Sequence, residues 1–299
     1  MQPQTTDNWL ALVQEHFIAV FTFDLGRYLV AAGLLTIILW LAHRWSEARR
    51  IQSRRAKRQD YLREISSSIR TVFFFGVTGL TTVLMIEAGL VYLQLDLVPA
   101  WVFALQLAAI IVAHDAYFYW MHRALHHKSV FRLMHLHHHK SRTPTPWAAY
   151  SFSAFEAVTE AAFMPIFLLA TSTMGIAYGG TVVFVFLAWM IIRNAIGHSG
   201  VEIHPAGWVD TPWLDWLTTT THHDLHHSEG RHNFGLYFTW WDRMMGTEHP
   251  RYKEEFRRVA KPIQIARRPA EVISVSAMAV FASVMTLSSG LGVMGAIPA

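Results

Sequence analysis

Long apolar runs separated by polar or basic intervals dominate the pattern of this chain. The clearest is Thr71 to Leu93, TVFFFGVTGLTTVLMIEAGLVYL, interrupted by Glu87 alone. Others cover Tyr28 to Leu41, Ala100 to Val112, Ala157 to Ala170 with Glu160 inside it, Ile176 to Ile192 and Val272 to Ala296. A helix rising about 1.5 Å per residue needs roughly 20 residues to cross a hydrocarbon core, so several runs are short as they stand. The first becomes long enough only if it starts near Phe17, which takes Asp24 and Arg27 into the apolar region. The pattern predicts an all-α fold, a polytopic membrane helical bundle.

Composition agrees with this. Apolar residues make up 53% and charged residues 15% of the 299, and the mean hydropathy is +0.25, on the membrane side of the range for soluble domains. The formal net charge of +4 matters less than its placement. Eight Lys or Arg lie between Arg44 and Arg63, a second basic tract covers Arg251 to Arg268, and Asp96 is the single charge between Tyr92 and Trp101. Basic residues near span ends stay on the cytoplasmic side. Placing 44–65 inside sends 71–93 outward and 98–120 back, makes 157–172 and 176–193 a second hairpin, and leaves one last outward span after 198–270. Every histidine cluster then reaches one face, as a cytoplasmic histidine-rich metal-binding cap on the bundle.

Three parts are expected. Residues 1–65 form an N-terminal membrane or interfacial segment with a basic cytoplasmic stretch, 66–250 the core that carries the chemistry, and 251–299 a basic stretch with a C-terminal apolar helix. The first residues carry Asp7 and Glu15 but no Lys or Arg, so no signal peptide is expected. No recognition module accompanies the basic tract, so a nucleic-acid partner is not expected.

The absence of cysteine excludes disulfides and thiolate sites, leaving histidine as the candidate metal ligand. The 18 histidines are clustered. His122 and His126 lie four apart and share a face if the helix begun near Pro99 continues. HLHHHK supplies His135, His137, His138 and His139, and THHDLHH supplies His222, His223, His226 and His227. On helices, His135 pairs with His138 and His139, and His223 with His226 and His227, at three and four residues. His198, ending an apolar run beside Gly197 and Gly200, is favoured over His204 to complete the set. Imidazole suits iron, zinc and copper, and this many rings on one face are enough for two metal ions.

Asp115 and Asp224, embedded in their clusters, are the favoured carboxylates to accept the ligands' other ring N–H; Glu156, Glu160, Glu202 and Asp242 lie nearby. Phe118, Tyr119, Trp120, Trp147, Phe152, Phe155 and Trp189 are candidates to line a lipid cavity, against the plainer reading as interface anchors. The same ligands would serve a membrane zinc-dependent lipid hydrolase, or a metal-binding or transport protein.

In order, HDAYFYWMHRALHH, HLHHHKSRTP, GHSGVE and HHDLHHSEGRHNFGLYFTWWDRMMGT resemble the fatty acid hydroxylase and sterol desaturase superfamily, nearest its sterol C5-desaturase (lathosterol oxidase-like) branch. Arg63-Glu64-Ile65 before a serine run belongs to the same pattern, and the likeness covers about residues 60 to 247. The resemblance implies metal ligands at His122 and His126, at His135, His138 and His139, and at His223, His226 and His227, with His198 and His222 as further matches. It also implies a di-metal centre, usually iron, with zinc accepted on purification. O2 is the implied co-substrate and a membrane lipid the substrate. Electrons would come from a separate carrier, a ferredoxin or cytochrome b5-like protein with its reductase. Phe234 stands where many members have tyrosine, and His137 enriches the second box.

Overall fold

The computed structural model describes residues 6–261. In chain order its helices are α1 (Thr6–Leu41), α2 (His43–Ala48), α3 (Arg58–Glu87), α4 (Ala100–Leu125), α5 (Phe131–Met134), α6 (Ala154–Ala161), α7 (Phe163–Thr173), α8 (Gly180–Gly197), α9 (Thr220–Glu229), α10 (Trp240–Met244) and α11 (Tyr252–Val259). Five segments, Val13–Leu41, Arg58–Glu87, Ala100–Leu125, Ala154–Thr173 and Gly180–Gly197, are long and apolar enough to cross a membrane. Their outward faces stay apolar: Val30, Leu34 and Ile37 on α1, Trp101 and Leu105 on α4 and Phe184 on α8 are exposed. Such a belt suits lipid and not water. The run Val272 to Ala296 lies outside the described residues.

The first span does start well before Tyr28, and it takes Asp24 and Arg27 inside. Arg27 Nε donates to Asp24 Oδ1 at 2.7 Å and Arg27 Nη1 to the Leu187 carbonyl at 3.0 Å. Pairing one turn apart, with a third partner on α8, is what lets two charges sit among apolar helices. Against α1 lies α3, and there the contact is made by small residues. A Cβ on Gly79 would come within 2.6 Å of Val20 Cγ1, and one on Gly76 within 3.0 Å of the Phe17 ring. Close backbone approach of this kind replaces the hydrophobic drive that lipid removes.

The fourth rod, α6 with α7, is broken at Ala162. Pro165 has no N–H to return to the Ala161 carbonyl and its ring crowds it, so the helix bends there. At the starts of α4 and α8 two-residue strands, β1 (Leu93–Gln94) and β2 (Tyr178–Gly179), pair in parallel. The histidines lie at the other ends of those two helices, and the connections 42–57, 126–153 and 198–261 gather on that side as a cap. The basic stretch is part of this cap: Ile51 N donates to the Gly200 carbonyl at 3.1 Å, Glu202 N to the Arg49 carbonyl at 3.0 Å, and Arg49 Nε to the Glu202 carbonyl at 2.6 Å. A boundary at 65/66 therefore falls inside α3, and of the 251–299 part the described residues include α11, packed through Tyr252 and Phe256 on Leu225 of α9.

The α1–α3 contact is testable. Gly79→Ala is expected to destabilise the protein by about 1–3 kcal/mol through overpacking, seen as a lower unfolding temperature in detergent. Gly26→Ala, with nothing within 4 Å of its new methyl, is expected to leave that temperature unchanged or raise it.

Candidate metal centre

Three local structures aim the histidines. α4 delivers His122 from its last turn and His126 from its C-cap. The second cluster is not a continuous helix: α5 stops at Met134, His135 caps it, and His138–Lys140 is a single 3-10 turn. On an unbroken helix His135, His138 and His139 would share a face; here the break turns His138 away from the other two. α9 starts at Thr219, whose hydroxyl accepts the His222 N–H at 3.3 Å, and stops at Gly230 with φ of 69°. That left-handed residue, easy for glycine, turns the chain so that the His232 carbonyl comes back to His226 Nδ1 at 2.7 Å.

Two groups result. His122, His126, His135, His139 and His226 form one, and His138, His198, His223 and His227 the other, with the ligand atoms in each within 4.8 Å of one another. In the first, Nε2 atoms stand 3.0 Å apart for His122 and His135, 3.1 Å for His126 and His139, and 3.0 Å for His139 and His226. In the second, His198 Nε2 is 3.2 Å from His138, 3.0 Å from His223 and 3.1 Å from His227. Nitrogens each about 2.0–2.1 Å from a shared ion stand roughly 3.0–3.4 Å apart.

The tautomers make this more than proximity. His122 Nδ1 faces the Phe234 carbonyl at 2.9 Å, His138 Nδ1 the Ser151 carbonyl at 3.3 Å and His198 Nδ1 the Asn194 carbonyl at 2.8 Å. A carbonyl oxygen only accepts, so each Nδ1 carries the hydrogen and each Nε2 of a neutral ring presents a lone pair. His138 and His198 therefore point lone pair at lone pair across 3.2 Å. Protonating both would set two N–H groups against each other instead. Burial first, and then the neighbouring imidazoles, hold His135, His138, His223 and His227 well below the usual histidine range, so the rings stay neutral. Only a cation satisfies such a set, and the residues fit a bound metal ion in both groups.

Of the ten histidines picked out in the sequence, His222 is the one that joins neither group. Its Nε2 stands 3.4 Å from Asp242 Oδ2, and the His222 carbonyl accepts from Asn233 Nδ2 at 2.8 Å. His204 lies apart as well, its Nδ1 bonded to Glu202 Oε1 at 2.7 Å. Neither favoured carboxylate touches a ring of either group. Asp115 accepts from Tyr237 N, Phe238 N and Trp240 Nε1 at 2.8, 3.2 and 2.9 Å, pinning the turn before α10. Asp224 points to the opposite side of α9 from His226 and accepts from Gln52 Nε2 at 2.9 Å. The carboxylate that does hold a ring is Glu156, whose Oε1 is 2.6 Å from His135 Nδ1. Serving four of the others are main-chain carbonyls, which no residue type advertises. Asp242 acts one step back, accepting from Phe234 N and Gly235 N at 2.9 and 2.8 Å and so setting the carbonyl that meets His122.

Aromatic rings wall the groups: Phe234 lies against His126 at 5.1 Å, Phe131 against His126 at 5.3 Å and Phe152 against His138 at 5.1 Å between centroids. Sequence likeness runs along the same stretch. The family model described as fatty acid hydroxylase matches residues 107–247, which include all nine converging histidines. The likeness to the fatty acid hydroxylase and sterol desaturase superfamily thus lies in the stretch that builds the two groups.

Curated relatives include the Delta(7)-sterol 5(6)-desaturase erg3C of Aspergillus fumigatus, 31% identical over 144 residues that make up 45% of each chain. Methylsterol monooxygenase 1 of Rattus norvegicus is 29% identical over 170 residues, 54% of each chain. A second A. fumigatus desaturase, erg3B, is 25% identical over 286 residues, 86% of this chain and 78% of the relative. The chain thus spans about half the length of most of the curated relatives it matches. No solved structure matches.

Two predictions follow from the ligand counts. The purified protein is expected to carry two metal ions by elemental analysis; His138→Ala or His227→Ala, leaving three imidazoles in the smaller group, should drop this towards one, while His126→Ala, leaving four, should cost less. Glu156→Gln, which keeps the size of the side chain and weakens its grip on His135, should reduce metal affinity by roughly 10–100-fold in chelator competition.

Proposed function

We propose that this protein is an oxygen-dependent oxidoreductase that holds two iron ions and hydroxylates or desaturates a sterol, fatty acyl or other membrane lipid. The observation that carries the reading is the convergence of nine imidazoles, eight of them buried, into a group of five and a group of four. Its relatives, named as sterol desaturases and methylsterol monooxygenases, point the same way. Five nitrogens exceed the four of tetrahedral zinc, and imidazole suits iron.

When bound, such ions supply the reduction of O2 and the removal of hydrogen from an unactivated C–H bond. The chain's own residues orient and protect. Carbonyls of Phe234, Ser151, Asn194 and His232 and the carboxylate of Glu156 keep hydrogen on Nδ1 and the lone pair of Nε2 inward. Phe131, Phe152 and Phe234 keep water away from the rings. No side-chain nucleophile is asked for, and Ser199 and Ser228 donate to the Val201 and Leu225 carbonyls.

The substrate enters laterally from the bilayer. Basic residues of 44–63 share the histidine side of the bundle, which supports a cytoplasmic position for that side. A separate donor, a ferredoxin or cytochrome b5-like protein with its reductase, delivers electrons there.

The test supplies purified protein in detergent with reductant, O2 and extracted membrane lipids and follows the lipids by mass spectrometry. Gain of one oxygen or loss of two hydrogens is expected, absent without O2 or reductant and at least a hundredfold slower in His138→Ala. Cleavage of lipid without O2 or reductant would replace this reading with zinc-dependent hydrolysis.

A further inference from the structure

Between α1, α3, α4, α7 and α8 the bundle encloses a cavity of about 460 Å³, within the range of small-molecule sites. None of the aromatic residues expected from the sequence to line such a space does so; its wall is made by others, among them Phe163 and Phe186. Six polar residues interrupt this apolar wall: His16, Asp24, Arg27, Thr82, His114 and Glu160.

Asp24 and Arg27 satisfy each other, as described above. His114 and Glu160 are a pair without partners, and the Thr82 hydroxyl in the same wall has none either. His114 is 2% exposed, its ring is gripped edge-on by Phe163 and Phe186 at 4.8 and 5.2 Å, and its Nδ1 is buried without a hydrogen bond. Glu160 lies inside the span Ala154–Thr173, and no hydrogen bond or ion pair reaches its carboxyl group among the described residues. Polar groups left alone at this depth cost free energy, and in membrane proteins they mark binding sites and pathways.

The chemistry of the pair selects the ligand. Glu160 offers acceptor oxygens in either protonation state, and a neutral imidazole offers one donor and one acceptor. A hydroxyl group can donate to the first and accept from the second, satisfying both at once. A carboxylate or phosphate would set oxygen against the oxygens of Glu160 in a cavity whose one arginine is already paired with Asp24. An ammonium would lose its hydration in an apolar space. The rest of the wall asks for a hydrocarbon body.

We propose that this cavity binds an apolar amphiphile through a single hydroxyl group, held by Glu160 and His114. The site is tied to the metal centre by two elements. His114 precedes His122 by two turns of α4, roughly 12 Å along the axis, with the Phe118 ring between them at 6.3 and 5.0 Å from the two imidazoles. Glu160 follows Glu156, the holder of His135, by one turn of the same rod. Taking the ligand for the substrate rests on the oxidation reading; binding itself does not.

The test measures equilibrium binding to the full chain in detergent, without O2 or reductant, for 1-hexadecanol against hexadecane and hexadecanoate, and for cholesterol against its 3-deoxy analogue. At least one hydroxylated probe should bind about tenfold more tightly than its deoxy partner, with hexadecanoate weaker than hexadecanol. That preference should vanish in Glu160→Leu and His114→Phe while metal content is unchanged, and survive in Glu160→Gln, which keeps an acceptor oxygen. No preference for either hydroxylated probe in the wild type, a stronger grip on hexadecanoate, or a preference that survives both apolar substitutions overturns the proposal. Should Glu160→Leu lose its metals, His114→Phe and the wild-type comparison decide alone. A protein that shows the preference but oxidises no lipid would refute the oxidation reading and leave this site standing.

Discussion

Lone pairs that face each other inside a protein repel, and acceptors behind five of the nine converging rings point theirs inward. The pair formed by His138 and His198 shows the constraint in its simplest form, because carbonyl oxygens behind both rings leave no hydrogen to put between them. Such a centre holds together only around positive charge, and the surrounding chain is arranged to resist the alternative of letting the rings turn away. Backbone carbonyls do most of that work, and a carbonyl is a stiffer holder than a side chain since moving it means moving a helix end or a turn.

The two groups draw on the histidine clusters in an interleaved way. His135 and His139 enter the group of five while His138 enters the other; His223 and His227 enter the group of four while His226 crosses to the first. Each of these two clusters therefore splits as a pair four residues apart plus one ring sent elsewhere. In α9 a regular helix achieves this, because positions three and four residues on diverge by enough to face two neighbouring centres. In the second cluster the same split is reached across a helix end and the 3-10 turn at His138–Lys140. Adjacent residues such as His138 with His139 and His226 with His227 then bridge the groups, so the two centres cannot move independently.

The membrane part of the fold supports this cap. α4 and α8 run in the same direction from their β1–β2 contact, and each ends in a ligand or beside one, so that two rigid rods fix the spacing between His122 and His198. The 42–57 connection is laced to 200–204 through Arg49 and Ile51, which closes the cap from the other side. In the same bundle polar groups of α1, α4 and α6 face one apolar cavity, Asp24 and Arg27 paired and His114 and Glu160 not.

The spans, the histidine clusters and their superfamily could be read from the chain itself, because apolar length and i, i+4 spacing are local properties that survive without knowledge of the fold. Even the buried Asp24 and Arg27 were visible as the cost of a long enough first helix. Which ring joins which group was not, since it depends on how α4, α8, α9 and the 126–153 connection meet in space. The roles of Asp115, Asp224 and Glu156 were equally hidden: nearness in sequence favoured the first two, yet a carboxylate 21 residues from His135 meets its ring, while Asp115 and Asp224 project towards other elements. His222 sits between ligands in sequence and on the wrong side of α9 in space. Local pattern determines what a residue is able to do; the direction in which its side chain leaves the backbone, settled by packing of distant segments, decides whether it does.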